Sequence, residues 1–178
     1  MFKITYASMI VFISILWILV RAYFCTKKKG IDWKRETQLF LVHICIIIVA
    51  RFVFFPFSKV NGQIQPLIFD HTKAFPFRIN VLPFVYLFDY PKLSEILLNV
   101  IGNTAMFIPI GIVWPIVYKE LNTHAKAITA GVVFSLCIEI LQLPFYDRVS
   151  DIDDLILNSL GYGIGYGIYL LVKKAKNK

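Results

Sequence analysis

Arg51, Asn99, Asn103, Glu139, Gln142, Arg148, Asp151, Asp154 and Asn158 are the side chains of this chain whose types and spacing could do chemistry. Arg51, Asn103, Glu139 and Asn158 interrupt otherwise apolar runs, and a polar group in such a place marks a candidate site by default. Asn99 stands four residues from Asn103, Gln142 three from Glu139 and Asp154 four from Asn158. Each spacing puts the two members on one helix face. The stretch Asp147-Arg148-Val149-Ser150-Asp151-Ile152-Asp153-Asp154 adds charge beside them, and Ser150 or Asp151 would cap a helix that begins there. The arginines suit a phosphate or a carboxylate, with the amides supplying further hydrogen bonds. Glu139 with Asp151 or Asp154 would make a general acid and base, which leaves these three as the catalytic candidates. A bland account is also open. Arg51 and Glu139, at matched depth, could pair, and the amides could be interhelical glue worth about 1 kcal/mol each.

Other chemistries find little support. No Gly-x-Ser-x-Gly, His-Glu-x-x-His or phosphate-loop pattern is present, and no activated nucleophile is visible. His43, His71 and His124 are scattered, and the aspartate run lacks calcium-loop spacing and carries Arg148 inside it. Cys25, Cys45 and Cys137 are odd in number with no Cys-x-x-Cys. Neither a metal nor a cofactor is expected.

The elements that must position these residues are membrane helices. Of the 178 residues, 58% are apolar and 17% charged, against roughly 45–50% and 25% in a soluble domain. Mean hydropathy is +0.68. This composition excludes a cytosolic enzyme, a secreted disulfide scaffold and a disordered chain. The reading is an all-α integral membrane protein, one membrane domain over 1–178. It is a bundle of about five transmembrane helices with spans near 4–24, 37–57, 96–118, 126–145 and 155–172. Pro109 and Pro115 are expected to break the third. Between the second and third lies a Pro- and aromatic-rich segment, Ser58 to Glu95, where Ile79 to Phe88 fits an interfacial or re-entrant element. The fifth span carries overlapping G-x-x-x-G pairs at Gly161, Gly163, Gly165 and Gly167. They are read as intramolecular packing in preference to dimerisation, and the oligomeric state stays open.

The net charge of +8 sits beside the spans, which argues for membrane lipids and against nucleic acid as partner. Lys27, Lys28, Lys29, Lys34, Arg35, Lys119, Lys126 and the four lysines after residue 172 fall on one side. Lys3, Lys59, Lys73, Arg78, Lys92 and Arg148 are spread along the other. The positive-inside rule then sets the N-terminus outside and the C-terminus in the cytoplasm. Arg51, Asn103, Glu139 and Asn158 fall in one layer, roughly 6–8 Å outside the midplane at 1.5 Å rise per residue. They line a polar funnel open to the outside.

The same residues carry a resemblance. Asn80-Val81-Leu82-Pro83-Phe84, then Asn99 to Gly111 with Asn103, Phe107 and Pro109, then Glu139-Ile140-Leu141-Gln142, then Arg148 to Asp154, and Asn158-Ser159-Leu160-Gly161 resemble, in order, the blocks of the VanZ-like family. The likeness covers residues 78 to 170. It implies a multi-pass protein of the bacterial cell membrane, in a family whose named member is linked to teicoplanin resistance and whose mechanism is not settled. One expectation is a protein that binds a lipid-linked cell-wall precursor, or a lipoglycopeptide, at the funnel. The alternatives are a membrane-embedded enzyme acting on an envelope lipid, and a structural or partner-binding membrane protein.

Overall fold

In the computed structural model five helices take up the apolar runs: α1 (Tyr6–Lys27), α2 (Trp33–Phe54), α3 (Leu93–Val117), α4 (His124–Gln142) and α5 (Ile152–Lys176). Each is long and apolar enough to cross a membrane. The structure describes residues 2–27, 30–55, 59–70, 72, 75–85 and 92–176. Lys28, Lys29, His71, Lys73, Pro91 and Lys178 lie outside the described residues. So do residues 56–57 of the second expected span and residues 86–88 of the expected re-entrant element.

Polar caps set where the helices begin. Thr5 and Ser8 bond reciprocally ahead of α1, Thr5 N to Ser8 Oγ at 3.0 Å and Ser8 N to Thr5 Oγ1 at 3.1 Å. Asp32 accepts from Arg35 N at 3.2 Å and Thr123 from Lys126 N at 3.3 Å, each satisfying an amide that a helix start leaves free. Asp151 caps α5 as expected, its Oδ1 taking the Asp153 N–H at 2.9 Å. Because α2, α4 and α5 open on these polar caps, they begin ahead of the apolar runs, while α3 begins after Lys92 without a side-chain cap.

Pro109 and Pro115 do not break the third span: α3 is continuous through both. Membrane helices tolerate proline where a neighbour compensates the disturbed backbone, and α5 lies against this stretch. A Cβ on Gly111 would stand 2.2 Å from the Tyr162 carbonyl oxygen. One on Gly161 would stand 2.0 Å from Thr104 O, and one on Gly165 2.1 Å from Ile108 O. Only glycine permits that approach, so one of the two overlapping small-residue pairs joins α5 to α3. Phe107, Ile110, Tyr162 and Val49 fill the buried centre.

Helix α1 is peripheral and buries no residue. It meets α2 through Ser14 Oγ and His43 Nε2 at 3.2 Å, through Trp17 stacked on His43, and through an ion pair of Arg21 with Glu36.

Short strand pairs gather at one end of the bundle. β1 (Phe2–Ile4) runs antiparallel to β4 (Leu67–Phe69). β2 (Lys59–Val60) and β3 (Gln63–Ile64) form a hairpin whose turn residues Asn61 and Gly62 both have positive φ, as a tight two-residue turn requires. β5 (Ile79–Asn80) lies parallel to β6 (Ser150–Asp151), with Asn80 opposite Asp151. The described part of the expected re-entrant element is thus strand and turn. The Asn80 side chain accepts from Leu82 N at 3.1 Å, closing a turn just before Pro83.

Candidate functional site

The last carbonyls of a helix have no donor within it, and at α2 they recruit the polar residues that the sequence singles out. Gln142 Nε2 donates to Val53 O at 3.0 Å, Arg148 Nη2 to Phe54 O at 2.5 Å, and Arg51 Nη1 to Phe55 O at 3.1 Å. The end of α4 and the connection beyond it are thereby strapped across the end of α2. Glu139 accepts the Asp151 backbone N–H at 2.9 Å and ties α4 to β6. Asn158 Nδ2 donates to Ser135 Oγ at 3.1 Å in the contact of α4 with α5. On α3, Asn103 Nδ2 reaches both Asn99 Oδ1 at 3.3 Å and Asp154 Oδ1 at 2.5 Å.

These contacts surround a cavity of about 500 Å³. Asn99, Asn103, Glu139, Gln142, Arg148, Asp154 and Asn158 all line it, so α3, α4, α5 and the loop before α5 converge as their spacing suggests. Arg51 and Asp151 are not among the lining residues. Arg51 serves its own helix end and lies over the rings of Tyr6 and Phe52, 5.7 and 5.6 Å from their centroids. Its matched depth with Glu139 does not produce a pair; the ion pair found among the described residues is Arg21 with Glu36. Asp151 works as a bracket, accepting Asn80 Nδ2 at 3.0 Å besides capping α5.

Sequence reasoning passed over Glu95 and the lining role of Asp147. Glu95 was detectable, since Glu95, Asn99 and Asn103 recur at four-residue steps along one face of α3. Asp153 was also passed over as a fastener: its Oδ1 accepts the Phe84 N–H at 2.8 Å. Asp154 stands at helical spacing from Asn158 and Asp153 does not, so the fastener role of Asp153 carries no local signal.

The site's electrostatics are lopsided. Glu95, Glu139, Asp147 and Asp154 line the cavity against the single guanidinium of Arg148. Burial pushes the Arg148 guanidinium below its ordinary pKa, while Asp147 and Asp154 pull the other way. Three buried polar atoms on the lining have no hydrogen-bond partner: Gln142 Oε1, Asn158 Oδ1 and Arg148 Nε. Gln142 is 4% exposed and Asn158 1%, and the Arg148 Nε atom is itself buried, so bulk water does not satisfy these atoms. Buried polar atoms are ordinarily paired, and three orphans around one cavity suit a polar ligand. Among the described residues no three His, Cys, Asp or Glu side chains are grouped to hold a metal ion.

Comparison with known proteins fits this geometry. The family model VanZ/LLP1 matches residues 40–173, reaching back to α2, whose end the site residues strap. The chain is similar to YwnJ of Bacillus subtilis (strain 168), an uncharacterised membrane protein, with 25% identity over 136 residues, 74% of this chain and 94% of that one. It is also similar to Protein VanZ of Enterococcus faecium, 34% identical over 80 residues, which are 45% of this chain and 49% of that protein. The second match thus spans about half of each. No solved structure matches the chain.

Proposed function

The chain belongs to the VanZ/LLP1 family, and from that premise we propose that it is a binding protein of the bacterial cell envelope. Its cavity takes the polar head of a lipid-linked cell-wall precursor, or of a lipoglycopeptide, and so weakens drugs of the teicoplanin type. One observation carries the reading: Gln142 Oε1, Asn158 Oδ1 and Arg148 Nε, buried and unpartnered, stand around one cavity. An unmade buried hydrogen bond costs about 1–3 kcal/mol, so three gathered on one cavity favour a ligand that makes them.

The cavity belongs to the end of the bundle that holds β1, β4, β5 and β6. The basic tail leaves α5 at the opposite end. The charge bias then orients the cavity outward, with the N-terminus outside and the C-terminus in the cytoplasm. Glu139 and Asp154 also line the cavity together, and this favours a second reading, an enzyme acting on an envelope lipid with the two as acid and base. In that reading the nucleophile would be water or a carboxylate, since the described lining holds no Ser, Cys, Lys or His.

Deletion and re-expression test the binding reading. The wild-type gene should restore survival on teicoplanin to a deletion strain, and Gln142→Ala and Asn103→Ala should not, at unchanged protein level. Loss of protection that merely follows loss of folded protein would remove the cavity from the account.

A further inference from the structure

We infer that the group this cavity recognises is an ammonium, flanked by a hydrogen-bond acceptor that meets Arg148. The inference rests on the binding reading above and narrows its ligand. The amide nitrogens of Gln142 and Asn158 are committed to Val53 O and Ser135 Oγ. What these two side chains offer the cavity is therefore oxygen, Gln142 Oε1 and Asn158 Oδ1, each buried and without a donor. Beside them stand the carboxylates of Glu139 and Asp154. The donors found on these carboxylates are neutral: the Asp151 backbone amide and the Ser150 hydroxyl on Glu139, and the Asn103 amide on Asp154.

Arg148 does not neutralise the pair by contact: its Nη2 donates to the Phe54 carbonyl, and the ion pair found among the described residues is Arg21 with Glu36. Its free Nε–H is the lone donor among the three unpartnered lining atoms. Acceptors on four side chains, set against the donors of a single guanidinium, are the complement of an R–NH3+ group with a phosphate, carboxylate or carbonyl nearby. A bare phosphate would meet four carboxylates and is disfavoured by like charge. Of the two arginines that suit a phosphate or a carboxylate, Arg148 lines the cavity and Arg51 does not.

The ammonium could belong to a lipid headgroup or to a soluble amine, and one titration separates them. Protein purified in a neutral detergent is titrated with phosphatidylethanolamine, with N-acetyl-phosphatidylethanolamine and with phosphatidylglycerol, and bound lipid is read by native mass spectrometry. The acetylated lipid keeps phosphate and chains and loses the charge. Wild type should retain phosphatidylethanolamine about tenfold better than either other lipid, the scale of one buried charge-assisted contact. Glu139→Gln with Asp154→Asn should abolish that preference while the protein still elutes as one species. Should this double variant fail to fold, Glu95→Gln with Asp147→Asn, at half-buried and exposed positions, must reduce the preference instead. Free phosphoethanolamine displacing the lipid at equal concentration would assign the site to soluble amines; displacement only in large excess would assign it to the headgroup. Equal retention of the acetylated lipid, with binding still lost in Gln142→Ala, would overturn the ammonium and leave a binding cavity. Lipid retention indifferent to every lining variant would overturn both.

Discussion

Asp151 and Asp154 lie three residues apart with the same side chain, yet they do different work. Asp151 caps α5 and receives the Asn80 amide, whereas Asp154 faces the cavity and receives Asn103. Replacing Asp151 with Ala should cost about 1–2 kcal/mol from the lost cap alone. Asn80→Ala should lower the melting temperature as well, and the double variant should fall short of the sum of the two, because they share one contact. Asp154→Asn keeps an acceptor for Asn103, so its melting temperature should stay near wild type while ligand retention falls. If Asp154→Asn instead melts as early as Asp151→Ala, the division between bracket and site is wrong. Thermal melts in detergent, recorded for all four variants, decide this.

At the scale of elements, the α3–α5 seam is where the fold is least forgiving. An added methyl on Gly161 or Gly165 would strike a carbonyl oxygen of α3, whereas Gly167 has nothing within 4 Å of an added Cβ. Gly161→Ala and Gly165→Ala should therefore each destabilise by about 1–3 kcal/mol, the ordinary cost of overpacking. Gly167→Ala should be neutral or slightly stabilising, since alanine is the better helix former. A loss at Gly167 equal to that at Gly161 would mean that the second face of α5 also packs against protein, as in a dimer. The α1–α2 contact has another character, resting on Ser14 with His43 and on Arg21 with Glu36. Arg21→Gln and Glu36→Gln should each lower the melting temperature, and the double variant should melt above the worse single, because neither charge is then left alone in an apolar setting. Additive losses would show that the pair contributes nothing as a pair.

For the whole molecule, five helices put the N-terminal strand and the basic tail at opposite ends. Which end faces the medium decides whether the cavity meets envelope precursors or cytoplasmic compounds. In a background lacking Cys25, Cys45 and Cys137, a cysteine at exposed Asp147 should react with an impermeant thiol reagent on intact cells. A cysteine at exposed Lys119 should react only after lysis. The reverse pattern would turn the cavity toward the cytoplasm and remove cell-wall precursors as its ligands.

The class of this protein is legible in its sequence because membrane insertion depends on summed hydropathy over about 20 residues, a property that needs no tertiary contact. The helical faces of Asn99 with Asn103, Glu139 with Gln142 and Asp154 with Asn158 are legible for a similar reason, since helix periodicity is local. The likeness of their blocks to VanZ/LLP1 rests on those spacings, whereas their convergence on one cavity needs the packing of the helices. Matched depth does not say which way a side chain turns, and there only the tertiary structure decides. Arg51 finds the carbonyl of Phe55 nearer than Glu139, and Asp151 is drawn to Asn80 by a parallel strand pair between segments about seventy residues apart. The continuity of α3 through two prolines likewise depends on a partner helix, because α5 can approach only where Gly111, Gly161 and Gly165 leave room. The acidic balance of the cavity was hidden for the same reason: it sums residues from three helices and a loop, and only packing brings their charges into one place.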